Sequence, residues 1–360
     1  MKRILIALAA AILILATGSV EGQEASGGPY KILKKVQAGG EGGFDYIFAD
    51  VQDRRLYVPR EGPAGLMVFN LDTLDSAGSI PGIAAGGAAV DPKSHHGFST
   101  TKPITMWDSQ TLKVIKTIDV DGRPDGIMYD PYNERIWIFS HQPPYATVID
   151  GKDGTVVGTI DLGGAPEQGV SDGHGTVYVN ISNMANIAVL DAKDLKVTAH
   201  YDVSSKGTGG SGLALDAKNH ILFAYYRQPS SNVIIVDAKD GHIITTLPTG
   251  MGVDTAVFNP NTMEAISGER AGSMTFIKEN SPTDFTVEQT LQTMPVAKTV
   301  ALDTKTNHVF TMTAEFGPAP TPPPAPAAPP AGAERGGREG FRGGRAPMIP
   351  GTFTVFMVGK

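Results

Sequence analysis

The chain has 360 residues, 43 of them Gly and 26 Pro, no Cys, and a formal net charge of −7. The missing cysteine excludes disulfides, thiolate metal sites, Cys-attached haem and a Cys nucleophile, and the mild acidity argues against a sequence-independent grip on nucleic acid or anionic membrane, which needs a basic face. Length alone suggests two domains at roughly 150 residues each, but one large all-β domain fits as well and the glycine count favours it.

The first predicted element is a secretory signal. Lys2 and Arg3 precede an apolar run from Ile4 to Ala16, followed by small residues and Gln23. A positive start and an apolar stretch of this length describe an export signal over 1–22, with small residues placed for cleavage after Gly18 or Gly22. The run falls short of the ~20 apolar residues that span a bilayer, so no stable membrane span is expected. The mature chain is expected in the periplasm or outside the cell. Having no disulfides there, the single domain predicted over 23–360 must be held by its core.

From Tyr30 onward one unit recurs. A small or polar entry leads into an apolar triplet and a marker Asp, once Asn. A turn, an aromatic-rich strand, a polar loop, a strand ending in Asp and a last β-rich strand follow. The markers are Asp50, Asp91, Asp130, Asp172, Asp216, Asn259 and Asp303, spaced by 41, 39, 42, 44, 43 and 44 residues. Second strands are predicted around 56–58, 136–138, 177–179 and 222–224. Third strands are predicted to end at Asp108, Asp150, Asp191 and Asp237. Four short strands per ~40 residues is the signature of a β-propeller blade, which buries its apolar faces only by stacking on its neighbours. Blade seven ends with its third strand, near Thr352–Val358, while Tyr30–Val36 stands alone before blade one and looks like a fourth strand. The N-terminal strand is therefore expected to complete the last blade and close a seven-bladed ring.

The segments 123–131 (ArgProAspGlyIleMetTyrAspPro), 148–160, LeuTyrVal at 56–58 and ValTyrValAsn at 177–180 resemble the YVTN repeats of seven-bladed propellers. The chain from Tyr30 to Lys360 resembles the YncE-like family. That resemblance implies an exported or surface protein, with some kinship to the propeller subunits of quinoprotein amine dehydrogenases. One branch of the family is credited with single-strand DNA binding, but no DNA-contact motif matches here residue by residue.

One segment breaks the repeat. Between strands two and three of blade seven, residues 317–350 carry clustered prolines and then ArgGlyGlyArgGluGlyPheArgGlyGlyArg at 335–345. This composition predicts a disordered loop projecting from one face. Its Arg335, Arg338, Arg342 and Arg345 around Phe341 are the sole feature that would take nucleic acid. Glu334, Glu339 and the acidic remainder weigh against that, and nucleic acid is not expected as a partner.

Catalytic motifs fail on context. Gly207, Gly209 and Gly212 satisfy G-x-G-x-x-G without a following helix, and Ser99 to Lys102 satisfies S-x-x-K on a strand end without companion motifs. The blade register says more. The residue five positions before each marker opens an inner strand at one mouth of the channel. Around the ring these are Asp45, Gly86, Asp125, Glu167, Ser211, Asp254 and Lys298. Second strands end on the same face, adding Arg60, Lys102, His141, Tyr226 with Arg227, Glu269 with Arg270, and Glu315. Two readings of this acidic ring stay open. Its carboxylates pair with collar cations and lock adjacent blades. Alternatively Asp45, Asp125, Glu167 and Asp254 crowd together to bind a divalent cation or to do acid–base work with His141.

The function expected is an exported, monomeric binding or interaction module. It would meet a small molecule or protein at the channel mouth through Asp45, Asp125, Glu167, Asp254, Lys298, Arg60, His141, Arg227 and Arg270. No catalytic residues are assigned and no cofactor is expected apart from a divalent cation. The enzymatic alternative is a metal-dependent propeller hydrolase or lactonase using the acidic ring.

Overall fold

A computed structural model describes residues 27–83, 86–318 and 346–360. The predicted signal and most of the Pro/Arg-rich insertion lie outside the described residues.

Seven antiparallel sheets of four strands each are arranged as the blades of a propeller, with no helix among the described residues. Inner strands run over Phe48–Asp50, Ala88–Asp91, Pro124–Asp130, Pro166–Ser171, Thr208–Asp216, Val253–Asn259 and Val300–Asp303. The seventh sheet holds Val300–Asp303, His308–Thr313 and Thr354–Gly359, and its outermost strand is the N-terminal Lys31–Gln37, paired to Thr354–Gly359. Both ends of the chain thus meet in one blade, as the sequence led us to expect, and the ring has no unpaired seam.

The marker residues explain their own recurrence. Six of the seven accept the backbone N–H two residues on, at 2.7–3.1 Å, and Asp50 accepts that of Asp53 at 3.0 Å. This side-chain turn needs one acceptor oxygen at that place, which Asn259 supplies as well as Asp. Asp303 also accepts from both terminal nitrogens of the Arg54 guanidinium, tying blade seven to blade one. The third strands end on the same device: Asp108, Asp150 and Asp191 each accept two N–H groups of the turn that follows.

Packing follows the strand order within each blade. Second strands such as Arg135–Ser140 are buried on both faces, whereas outer strands such as Val114–Ile118 are exposed almost throughout. The buried faces join neighbouring blades. Tyr57 and Val68 of blade one meet Val90 and Trp107 of blade two, and Trp137 and Phe139 of blade three meet Val177 and Val179 of blade four. Leu56 and Phe69 close the ring against Phe310, Phe353 and Met357 of blade seven. Trp107 lies across Gly97, where a Cβ would come within 2.1 Å of the indole.

The insertion leaves blade seven between His308–Thr313 and Thr354–Gly359, and its flanks are fastened together. Gly317 N–H donates to Pro347 O and Ile349 N–H to Glu315 O, both at 2.8 Å. Phe316 packs near Phe44, one residue before Asp45, so the flanks sit beside the acidic mouth.

Candidate functional site

The ring positions come together in two halves of different character. In the first, Lys298 of blade seven is 8% exposed and donates to Asp45 of blade one at 2.5 Å and to Asp254 of blade six. Arg227 of blade five completes this half, 2.7 Å from Asp254. Two carboxylates therefore share two cations, and the groups lock blades five, six, seven and one. Burial alone would raise Asp254, but Lys298, Arg227 and the exposed Arg270 hold it below the ordinary carboxylate range. For Asp45 burial prevails over Lys298 and pushes its carboxyl up to about 6.

The second half is not neutralised in this way. Asp125 of blade three and Glu167 of blade four face His141, whose Nε2 lies 3.3 Å from one and 3.7 Å from the other. No lysine or arginine stands at ion-pair distance from either carboxylate among the described residues. Burial pushes Glu167 up to about 7; Arg227 opposes this from a distance while Asp254, Asp125 and Asp45 add to it. His141 Nε2 is itself buried and has no hydrogen-bond partner among the described residues. Ligand atoms of Asp125, His141 and Glu167 all lie within 4.8 Å of one another, close enough to share one ion. A mixed nitrogen and oxygen set of this kind suits a first-row divalent metal.

Several collar residues lie elsewhere. Arg60 has no exposed surface: its guanidinium donates to the carbonyls of Gly39, Gly40, Gly42 and Gly43 and stacks on Phe353. It shapes the 39–43 loop instead of lining the mouth, because a long side chain at a strand end can fold back as readily as forward. Tyr226 is buried with its hydroxyl on Asn180 Oδ1, and Lys102 reaches Gly122 O. Glu269 is wholly buried, with Oε1 accepting from Ser267 Oγ and Thr275 N.

Register arithmetic missed two residues that shape the site. Tyr46, next to Asp45, lies among all four carboxylates, and its burial followed by the charges of Asp125, Glu167, Asp45 and Asp254 raises its phenol far above the ordinary value. Gln168, next to Glu167, reaches from blade four to Leu213 N–H and Ala256 N–H at 3.0 and 2.9 Å, and donates to Ala256 O at 2.8 Å. A sequence signal existed. The residues following the seven ring positions are Tyr46, Gly87, Gly126, Gln168, Gly212, Thr255 and Thr299, so two large side chains stand among five small ones.

No helix long and apolar enough to cross a membrane is found among the described residues. No family model matches the chain. Over 150 residues it is 27% identical to the uncharacterized protein YncE of Escherichia coli O157:H7, covering 38% of this chain and 41% of that protein. The aligned stretch spans about two fifths of that relative. Among solved structures, hydrazine synthase of Kuenenia stuttgartiensis superposes with a TM-score of 0.65 at 14% identity, over 77% of this chain and 95% of that one. The RRP9 WD40 repeats superpose with a TM-score of 0.69 at 8% identity, over 92% and 97%. At such identities the likeness is one of fold. The partial YncE match and the closed ring of seven blades together support placing this chain with the YncE-like propellers.

Proposed function

We propose that the protein is an exported binding module that takes a positively charged ligand at the Asp125–His141–Glu167 side of the channel mouth. The observation that carries this is the asymmetry of the ring: Lys298 and Arg227 neutralise Asp45 and Asp254, while among the described residues Asp125 and Glu167 face only a histidine at ion-pair distance. Crowded, half-buried carboxylates without a cation favour whatever brings one. Export rests on the Lys2–Arg3 start and the apolar run behind it.

Calorimetric titration of the mature protein with Mn²⁺, Ca²⁺ and ethylammonium tests the reading. Binding should weaken at least tenfold in Asp125→Asn. It should strengthen as pH rises through about 7, where Glu167 sheds the proton with which a cation competes. No heat from any of the three at pH 8, or equal heat in Asp125→Asn, would overturn it.

A second reading is a metal-dependent hydrolase or lactonase, favoured by the unpartnered Nε2 of His141 between two carboxylates. Three protein ligands with an open position are how catalytic metals are held. Tight Mn²⁺ binding that is lost in His141→Ala, with no response to ethylammonium, would select this reading over the first.

A further inference from the structure

Below the carboxylates the channel encloses a cavity of about 760 Å³, within the range that holds drug-sized ligands. Tyr46 and Glu167 bound it at the acidic mouth, and Gln52, Pro92 and Pro131, in turns that follow the inner strands, bound it at the opposite end. Met128, Val170, Leu215, Val257, Phe258 and Leu302 supply much of its wall. Each of these is partly exposed. At ~3.3 Å per extended residue, the segment from Tyr46 to Asp50, which ends in the strand Phe48–Asp50, alone gives the cavity a depth of ~13 Å. Apolar side chains left accessible along the channel favour an apolar body that covers them.

Glu167 belongs both to the uncompensated carboxylate cluster and to the wall of this cavity. We propose that mouth and channel form one site for an amphiphilic ammonium ligand, with its cationic nitrogen at Glu167 and Asp125 beside Tyr46 and its hydrocarbon body along the channel. This rests on the reading of the mouth as a cation site and names the ligand class. A bare inorganic cation would leave the apolar wall wet. A neutral apolar molecule would leave the half-buried carboxylates without a counter-charge. An ammonium group on a hydrocarbon answers both, and the Tyr46 ring adds an aromatic surface of the kind that attracts such a group.

The test is calorimetric titration of the full mature protein with n-butylammonium, n-octylammonium and n-octanol, each below its aggregation range. Each methylene buried adds about fourfold in affinity, so octylammonium should bind on the order of 100-fold tighter than butylammonium. It should also bind at least tenfold tighter than octanol, and Glu167→Gln should erase that second difference. Val170→Trp, which obstructs the channel, should bring octylammonium down to the affinity of butylammonium. Val257→Phe is a milder obstruction should the first variant melt early, and it should remove part of the same gain. Equal binding of the two ammonium ions overturns the channel while sparing the cationic mouth. Octanol binding as tightly as octylammonium overturns the head-group assignment. No binding of either ammonium ion overturns both.

Discussion

Glu269 offers the sharpest test of the electrostatics. It closes the second strand of blade six, Glu264–Glu269, and has no exposed surface. Its contacts are hydroxyls and one backbone N–H, and its Oε2 has no hydrogen-bond partner among the described residues. Burial pushes the carboxyl from 4.5 to about 7, with Ser267, Ser273 and Thr275 offsetting part of the rise. A carboxyl that holds its proton more tightly when folded stabilises the native state at low pH. That contribution is full below about pH 4.5 and is lost as pH rises through about 7. At 1.36 kcal/mol per pKa unit the loss is about 3 kcal/mol. Glu269→Gln keeps the shape and the acceptor for Ser267 and Thr275 but carries no charge at any pH. The variant should match the wild type at pH 5 within about 1 kcal/mol and exceed it by up to about 3 kcal/mol at pH 8.5. Urea unfolding followed by circular dichroism at pH 5, 7 and 8.5, with an unchanged m-value, measures this directly. An offset between the two proteins that is the same at all three pH values would refute the argument. So would a variant less stable than wild type at pH 8.5.

Two further outcomes are expected. Lys298→Met strips Asp45 and Asp254 of their shared cation and should destabilise the propeller by about 3–5 kcal/mol in urea unfolding at pH 7.5. Adding Asp254→Asn should recover part of that, and a Lys298→Met protein as stable as wild type would show that the pair locks nothing. Gly97→Ala sets a Cβ 2.1 Å from the Trp107 ring and should cost about 1–3 kcal/mol by overpacking. Near-ultraviolet circular dichroism should report a displaced indole, and an unchanged spectrum and midpoint would contradict the packing described.

The architecture was legible from the residues because each blade repeats the same local chemistry. An acceptor side chain must stand at the marker position to hold the turn, so Asp or Asn recurs near every fortieth residue whatever else changes. The missing fourth strand of blade seven and the surplus strand at Lys31–Gln37 pointed to one closure. The ring of Asp45, Asp125, Glu167, Asp254 and Lys298 followed from register, because an inner strand must begin at the mouth.

Reach and partnership were another matter, since they depend on side chains from blades far apart in sequence. Lys298 and Asp45 are 253 residues apart and meet because the ring closes between them. Arg60 had the right place on its strand but folds back on the 39–43 loop, a choice made by nearby carbonyls and the Phe353 ring. Glu269 likewise turned inward. Tyr46 and Gln168 were visible as large residues among small ones, yet only the assembled channel shows that one lies among four carboxylates and the other spans three blades. Sequence by itself determined the blades and which residues open the inner strands, because turns and strand periods are local. The tertiary structure decided which charges cancel and which remain, because that depends on distances across the ring.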